Sequence, residues 1–230
     1  MTYATKTGYL WSAGKPPGVT LPTEKESQLA FLHAETPTHS SSFFMKGQVS
    51  ELCAQNDLIW VAFEDGLLIS INSKNGEKVN TITKFQSEAS SLVHLSLAAT
   101  PLLGKMWLSD GYAMYFYEED EEFSVIDSKA LSAQTSFMSQ AARTAGREYE
   151  EYGSEGVEVV WEEMVASVSE DGTVCLWNGR DKSCEAAHLK GPKEPLFMMG
   201  SCKENMWVVV SNESVVVYIY NTNKFRKSSN

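Results

Sequence analysis

Residues 164–178 carry the clearest structural signal in the chain and read Met-Val-Ala-Ser-Val-Ser-Glu-Asp-Gly-Thr-Val-Cys-Leu-Trp-Asn. The runs 164–168 and 173–177 are short and rich in apolar and β-branched residues, which suit a pleated strand. Asp171-Gly172 stands between them and is a strong hairpin signal, because the turn requires a positive φ that glycine adopts without steric cost. The stretch predicts two antiparallel strands joined by a tight turn.

Similar hairpins recur along the chain. Repeated units are predicted at residues 49–82, 92–126, 157–187 and 196–220, with four strands in each of the first three and three strands in the last. Their turn positions, Gly66, Gly111, Gly172 and Ser214, are separated by 45, 61 and 42 residues. Two of these intervals match the period of roughly 40–45 residues that a four-stranded propeller blade has. We therefore predict an all-β fold built from repeated antiparallel meanders.

The long middle interval contains residues 128–153, which are rich in Ala, Arg and Glu and favour helix over strand. We predict this segment to be an insertion that is partly helical or disordered. Residues 1–45 are predicted to be irregular or a partial blade, residues 46–221 to form the repeated units, and residues 222–230 to form a polar tail.

The segment 167–178 resembles the hairpin between the second and third strands of a WD40 repeat, with Ser167, Asp171-Gly172 and Val-Cys-Leu-Trp-Asn in that order. Gly66 and Gly111 keep the turn in other units. The resemblance implies a WD40-like β-propeller that serves as a platform for protein interactions. The chain lacks the Gly-His pair of the family, which leaves open the hydrogen-bond network that links this His to the turn Asp and the strand Trp.

The number of units is lower than a regular WD40 propeller needs to close. We expect about five blades in a small propeller or, as the favoured alternative, part of a larger propeller cut from a longer protein. A truncated propeller would expose unpaired strand edges, which are an aggregation hazard.

The charge of the chain limits its partners. The sequence has a net charge of −11 and a pI of about 4.9. A nucleic-acid backbone or an anionic membrane would be repelled on average, whereas a basic protein surface would be attracted. We therefore predict a protein partner with a basic segment, and neither a nucleic-acid nor a membrane partner.

Acidic residues in loops are the candidate binding residues. Five consecutive carboxylates occupy residues 118–122, where self-repulsion keeps such a run solvated. In a propeller blade the turn acids would share one face, and the acidic run would lie on the opposite face. The candidate partner-binding residues are Asp65, Asp110, Asp171, Glu118, Glu119, Asp120, Glu121 and Glu122.

Other interpretations of these acids stay open. Each turn Asp can stabilise its own turn through side-chain to backbone hydrogen bonds. The acidic run, and a second acidic cluster at residues 148–163, can be merely solvated surface. A calcium site is a minor alternative, because the residue spacing of a dedicated calcium loop is missing.

Trp60, Trp107 and Trp177 occur at repeated strand positions, and we predict that they pack in the core. Trp11 and Trp161 have no repeated place in the pattern. The four cysteines lack Cys-x-x-Cys spacing and are predicted to be free thiols in a reducing compartment. Disulfides or a metal site are the minor alternatives. Since the N-terminus shows no charged-then-apolar leader, we expect a cytoplasmic protein.

Catalytic motifs are absent from the sequence. It contains no Gly-x-Ser-x-Gly, P-loop, Gly-x-Gly-x-x-Gly or His-Glu-x-x-His pattern, and its four histidines are scattered. We predict a non-catalytic interaction or regulatory scaffold with no cofactor and no metal. The alternatives are the regulatory propeller of a longer signalling protein, such as a kinase, GTPase or exchange factor, and less favourably a propeller enzyme.

Overall fold

Every regular element that the structure describes is a β-strand. The computed structural model describes residues 1–4, 6–14, 26–38, 40–83, 85, 95–100, 103–110, 114–117, 124–125, 142–153, 156–168, 174–186, 196–202, 205–211 and 215–221. The prediction of an all-β fold is therefore confirmed.

The strands form five sheets, in each of which neighbouring strands follow one another along the chain. Sheet 1 contains β1 (Thr2–Ala4), β2 (Tyr9–Gly14), β3 (Glu26–His33) and β4 (Ser40–Lys46). Sheet 2 contains β5 (Val49–Gln55), β6 (Leu58–Phe63), β7 (Leu68–Asn72) and β8 (Lys78–Ile82). Sheet 3 contains β9 (Ser96–Thr100), β10 (Lys105–Ser109), β11 (Met114–Tyr117) and β12 (Ser124–Val125).

Sheet 4 contains β13 (Ala142–Gly153), β14 (Gly156–Val168), β15 (Val174–Asn178) and β16 (Cys184–Ala186). Sheet 5 has three strands among the described residues, which are β17 (Leu196–Cys202), β18 (Asn205–Ser211) and β19 (Val215–Asn221). The chain divides into two compact units, Met1–Leu97 and Ala98–Asn230. The first unit contains sheets 1 and 2, and the second contains sheets 4 and 5 and most of sheet 3.

The core of the first unit lies between sheets 1 and 2. Trp11 stacks on Phe31 within sheet 1, with ring centroids 4.3 Å apart. Both rings belong to one buried cluster with apolar side chains of sheet 2, among them Ile59, Val61 and Ile71. Burial of such apolar surface is the main favourable term in folding, and it joins the two meanders into one unit.

Four tryptophans, Trp11, Trp60, Trp107 and Trp177, are fully buried. The predicted core role of the last three is confirmed. The expectation for Trp11 was wrong, because it occupies the second strand of its sheet just as Trp60 and Trp107 do. Residues 9–11 and 29–32 are strand-like in the sequence, but the repeat to which they belong was not recognised. Trp177 lies on the third strand of sheet 4, and Trp161 lies on β14.

Two regions differ from the sequence-based expectation. Residues 1–45, predicted to be irregular or a partial blade, contain β1 to β3 and most of β4. Residues 142–153, predicted as part of a helical or disordered insertion, form strand β13, which pairs with β14 from Ala142↔Ser167 to Gly153↔Gly156. The predicted separate strands 157–161 and 164–168 are both parts of β14.

Pairing along β14 explains why helix-favouring composition was misleading for β13. Helix propensity is a weak preference that tertiary context overrides, and Gly146 weakens a helix at this point in any case. The thirteen-residue strand β14, which contains five valines, pairs with the backbone groups of β13 instead. Residues 128–141 and the predicted tail 222–230 lie outside the described residues.

Two buried indoles provide a matched stability test. Trp11 Nε1 donates to the backbone oxygen of Ser73 at 3.0 Å, whereas Trp107 Nε1 is buried with no hydrogen-bond partner among the described residues. Trp11→Phe leaves a buried carbonyl without its donor, at a cost of about 1–3 kcal/mol beyond the lost packing. We expect Trp107→Phe to lower the free energy of unfolding less than Trp11→Phe, as measured by urea denaturation. Equal losses in the two variants would contradict the importance of this hydrogen bond.

Candidate functional site

Asp65 lies in the tight turn between β6 and β7 and is exposed. Its Oδ1 accepts a hydrogen bond from the Leu67 backbone N–H at 3.0 Å. Phe63 N–H donates to the Leu67 carbonyl at 2.9 Å, and Gly66 has a φ of +83°. The expected positive φ is therefore confirmed at Gly66, and Asp65 stabilises its own turn. Its role in partner binding stays a prediction.

Asp110 follows the last residue of β10 and is partly buried. Its Oδ2 accepts a hydrogen bond from the hydroxyl of Tyr115 on β11 at 2.8 Å. Burial of the phenol, this hydrogen bond and the negative charge of Asp110 together raise the pKa of Tyr115 to about 12. Asp110 therefore ties the start of β11 to the end of β10, and its partner-binding role also stays a prediction.

The remaining candidate residues lie outside the described residues. Asp171 falls between β14 and β15, and the acidic run Glu118, Glu119, Asp120, Glu121 and Glu122 falls between β11 and β12. Strands β10 and β11 are antiparallel, with Ser109 opposite Met114 and Met106 opposite Tyr117. The last residues of β10 and β11 therefore lie at opposite ends of sheet 3.

The loops that follow the third strands of sheets 2 and 4 share one hydrogen-bond pattern that the sequence analysis missed. Asn72 Oδ1 accepts from Lys74 N–H at 2.9 Å, and Asn178 Oδ1 accepts from Arg180 N–H at 2.8 Å. In the first loop Gly76 N–H donates to the Asn72 carbonyl at 2.9 Å. In the second loop Lys182 N–H donates to the Asn178 carbonyl at 3.0 Å. Gly76 and Lys182 both have positive φ, +74° and +65°.

Each of these loops is also bonded to the second strand of its own sheet or to the turn before it. Ser73 N–H donates to the Asp57 carbonyl at 2.8 Å, and Gly179 N–H donates to the Glu163 carbonyl at 3.0 Å. A Cβ on Gly179 would lie 2.6 Å from that carbonyl oxygen, so glycine is required there. Sequence alone contained a signal for this geometry, since Asn-Ser-Lys-Asn at 72–75 parallels Asn-Gly-Arg-Asp at 178–181.

Sheet 1 has a variant of the same loop. Ala34 N–H donates to the Gly8 carbonyl at 2.9 Å, which matches the bonds made by the other two loops. His33 stands where Asn72 and Asn178 stand, and its Nδ1 accepts from Thr36 N–H at 3.3 Å. An imidazole nitrogen therefore replaces the amide oxygen as the acceptor that closes this loop.

In the first unit the loop after β7 connects sheet 2 to sheet 1. Ser73 accepts the buried bond from Trp11 through its carbonyl, and its hydroxyl lies 2.8 Å from the hydroxyl of Thr7. A Cβ on Gly76 would lie 2.8 Å from the Phe43 ring, which shows how closely the loop backbone packs on that side chain. The exposed ion pair between Lys6 and Asp57, at 2.9 Å, also connects the two sheets, since Lys6 precedes β2 and Asp57 precedes β6.

In the second unit the loop after β15 connects sheet 4 to sheet 3. Lys105 Nζ donates to the Arg180 carbonyl at 2.9 Å, and Lys182 Nζ lies 3.1 Å from the centroid of the Phe116 ring. The buried carboxylate of Glu163 accepts from Leu103 N–H at 3.1 Å. The same loop therefore joins consecutive sheets in both units, although the side chains that make the contacts differ.

The strand tryptophan of the segment that resembles a WD40 repeat is hydrogen-bonded to a serine of the same segment. Trp177 Nε1 donates to Ser167 Oγ at 2.9 Å, and both side chains are buried. This bond links β15 to β14 on the segment with the clearest resemblance to a WD40 repeat.

Comparison with known proteins supports the resemblance at the level of the fold. No family model matches the chain, and no curated protein does. The structure is similar to a chain in the crystal structure of the mitotic checkpoint complex, with a TM-score of 0.62 and 11% identity over 96% of this chain and 61% of that chain. It is also similar to the WD40 repeats of RRP9, with a TM-score of 0.56 and 14% identity over 94% and 60%.

This chain has the fold of a WD40-type β-propeller. The predicted fold class, with blades of four antiparallel strands, is thereby confirmed. A third similar structure is the AfRom2 CNH domain, with a TM-score of 0.52 and 9% identity over 92% of this chain and 64% of that chain. The chain spans about six-tenths of the length of the structures it matches.

The described residues of this propeller show no metal centre. No cluster of three or more His, Cys, Asp or Glu residues among them could hold a metal ion. Cys53 is partly buried and Cys175 is buried, and neither forms a disulfide. No helix within the described ranges is long and apolar enough to cross a membrane.

The Tyr115 phenol provides a test of the Asp110 contact. Because its pKa in the folded protein lies above the ordinary value of 10.0, neutral Tyr115 supports the fold below pH 10, and this support is lost as the pH rises towards about 12. We expect Asp110→Asn to lower the pKa of Tyr115, because it removes the negative charge that disfavours the tyrosinate. The measurement is a spectrophotometric tyrosinate titration, with Tyr115→Phe subtracted.

Asp65→Asn is the matched control, because the Asp65 carboxylate accepts from a backbone N–H in the equivalent turn of sheet 2. This control should leave the Tyr115 titration where it is in the unmodified chain. An unchanged titration in Asp110→Asn would contradict the assignment.

Proposed function

We propose that this chain is a non-catalytic scaffold for protein interaction or regulation, and that it presents acidic loops to a basic segment of its partner. The observation that carries the proposal is the propeller fold, shared with the WD40 repeats of RRP9 and with a chain of a multiprotein assembly, the mitotic checkpoint complex. The fold offers a rigid frame with many loops, on which binding residues are commonly held.

The geometry of the loops supports this mechanism. Buried tryptophans fill the sheets, and the loops after β7 and β15 are held by main-chain and side-chain hydrogen bonds to the preceding sheet. Side chains on such loops lose little conformational freedom when a partner binds, which favours affinity. Recognition by preformed loops requires no catalytic group.

The charge of the chain supports a basic partner. The net charge is −11, and five of the carboxylates are consecutive at residues 118–122, directly after β11. Complementary charge raises association rates and selects partners more than it raises affinity. We propose the acidic run as the main docking element, with Asp65, Asp110 and Asp171 as candidates on the turns between second and third strands.

We also propose a cytoplasmic location without nucleic-acid or membrane partners. The free thiols of Cys53 and Cys175 suit a reducing compartment. Since the chain spans about six-tenths of its structural neighbours, a role as the regulatory propeller of a longer signalling protein is part of the proposal.

A binding assay with designed peptides tests the acidic run. The purified chain is titrated with a fluorescent Lys/Arg-rich peptide and with a Glu/Asp-rich peptide of equal length, at about 0.1 M and about 1 M salt, where the Debye length falls from about 10 Å to about 3 Å. We expect binding of the basic peptide alone, weakened by salt. It should be lost in the variant Glu118→Gln, Glu119→Gln, Asp120→Asn, Glu121→Gln and Glu122→Gln.

A second variant removes the same charge elsewhere. It carries Glu148→Gln, Glu150→Gln, Glu151→Gln, Glu158→Gln and Glu162→Gln, which lie on β13 and β14. We expect this control to bind the basic peptide nearly as well as the unmodified chain. Equal losses in the two variants would mean that only net charge matters, and binding of neither peptide at either salt would contradict the acidic-docking mechanism.

A further inference from the structure

The loop between β3 and β4 contains a Thr-Pro step, Thr36-Pro37, on the surface. Each described residue of this loop, 34–38, is exposed. Pro37 disfavours helical backbone at Thr36 and biases it towards extended conformations. Thr36 therefore presents an exposed hydroxyl directly before a proline on a surface loop, which is the local sequence that a proline-directed protein kinase requires.

The chain has a second Thr-Pro step, whose threonine is buried. Thr100 is the last residue of β9, is fully buried and donates its hydroxyl to the Lys105 carbonyl at 3.3 Å. Pro101 follows it in the sequence. The fold therefore distinguishes the two threonines, since Thr36 is exposed and Thr100 is buried.

The Thr36 hydroxyl has a basic neighbour. Thr36 Oγ1 lies 3.0 Å from His33 Nδ1, the nitrogen that also accepts from Thr36 N–H. The ring of His33 is edge-on to Tyr9, with centroids 5.0 Å apart. Other charged groups near this end of sheet 1 are Glu35, the next residue but one after His33, and Lys6, which is paired with Asp57.

We propose that Thr36 is a phosphorylation site for a protein kinase that requires proline after the acceptor, and that His33 holds the resulting phosphate. ATP, bound by the kinase, is the phosphate donor. A bond forms between Thr36 Oγ1 and the γ-phosphorus, the bond from that phosphorus to the bridging β–γ oxygen breaks, ADP leaves, and a kinase carboxylate takes the hydroxyl proton.

The product changes the hydrogen bonding of the loop. Phosphothreonine carries a charge of about −1.5 to −2 at pH 7 and offers strong acceptor oxygens. His33 can then be protonated and donate from Nδ1 to the phosphate, whereas in the unmodified loop Nδ1 accepts from Thr36 N–H. Phosphorylation therefore replaces the hydrogen bond from Thr36 N–H to His33 Nδ1 with an ionic hydrogen bond between His33 and the phosphate.

The site is tested with a purified proline-directed kinase, ATP and the folded 230-residue chain, followed by peptide mapping with mass spectrometry. Synthetic peptides covering residues 30–42 and 94–106 serve as unfolded controls. We expect phosphate on both peptides but only on Thr36 in the folded chain. Thr36→Ala and Pro37→Ala should abolish incorporation into the folded chain.

Two results would overturn the site. One is a folded chain that stays unmodified at Thr36 while the 30–42 peptide is phosphorylated, and the other is a 30–42 peptide that the kinase does not accept. Neither measurement involves a binding partner, so the outcome is independent of the proposed scaffold function.

His33→Asn tests the second part of the proposal. Asn72 and Asn178 show that asparagine closes the equivalent loops, so this variant keeps an acceptor but cannot be protonated. We expect phosphorylation to raise the urea midpoint at pH 6 of the chain that keeps His33. Phosphorylation of the His33→Asn variant should leave its midpoint unchanged or lower it. An equal rise in both proteins would remove His33 from the mechanism.

Discussion

The hydrogen bond from the buried Trp11 indole to the Ser73 carbonyl sets the packing of the first unit. A tryptophan supplies a large apolar surface, but its N–H must find an acceptor when water is excluded. Here the acceptor belongs to the loop of the next sheet, so the apolar contact and the polar contact fix the same pair of sheets. Ser73 adds a main-chain bond to Asp57 within its own sheet. The loop is therefore held from both sides.

The second unit reaches the same result with different groups. A lysine at 105 donates to the loop carbonyl of Arg180, and Lys182 lies over an aromatic ring of sheet 3. A cation on an aromatic face is worth about 0.5–1 kcal/mol at exposed sites and more when desolvated. The loops after β7 and β15 thus share their backbone hydrogen bonds but contact the preceding sheet differently. Apolar and indole contacts are used in the first unit, and contacts of lysine side chains in the second. This regularity supports the interpretation of the loops as fixed platforms for recognition.

Much of this architecture could be predicted from local patterns. The Asp65-Gly66 turn and the strands on either side of it follow from residue types whose preferences are strong over a few residues. Strand β13 could not be predicted, because its residues favour helix individually and form a strand only through pairing with β14. Trp11 was missed for a similar reason, since the polar loops around it hid the spacing of its sheet.

The candidate site was less predictable than the fold. The acidity of residues 118–122 is evident in the sequence, and the turn role expected for Asp65 is present in the structure. The contact between Asp110 and Tyr115 was not predicted, because it depends on a register that places an aromatic hydroxyl at the turn. His33 was equally hidden, since only the superposition of three loops shows that it takes the place of an asparagine.

The loop after the third strand bears on how such a repeat can diverge. Its shape is maintained chiefly by main-chain bonds, which any residue except proline can make. Glycine moves from the fifth position at Gly76 to the second at Gly179, and Lys182 accepts a left-handed conformation at a cost of about 1 kcal/mol. Selection can thus preserve the backbone while letting nearly every side chain drift. The repeat of this loop is therefore easier to recognise from its backbone hydrogen bonds than from its residues.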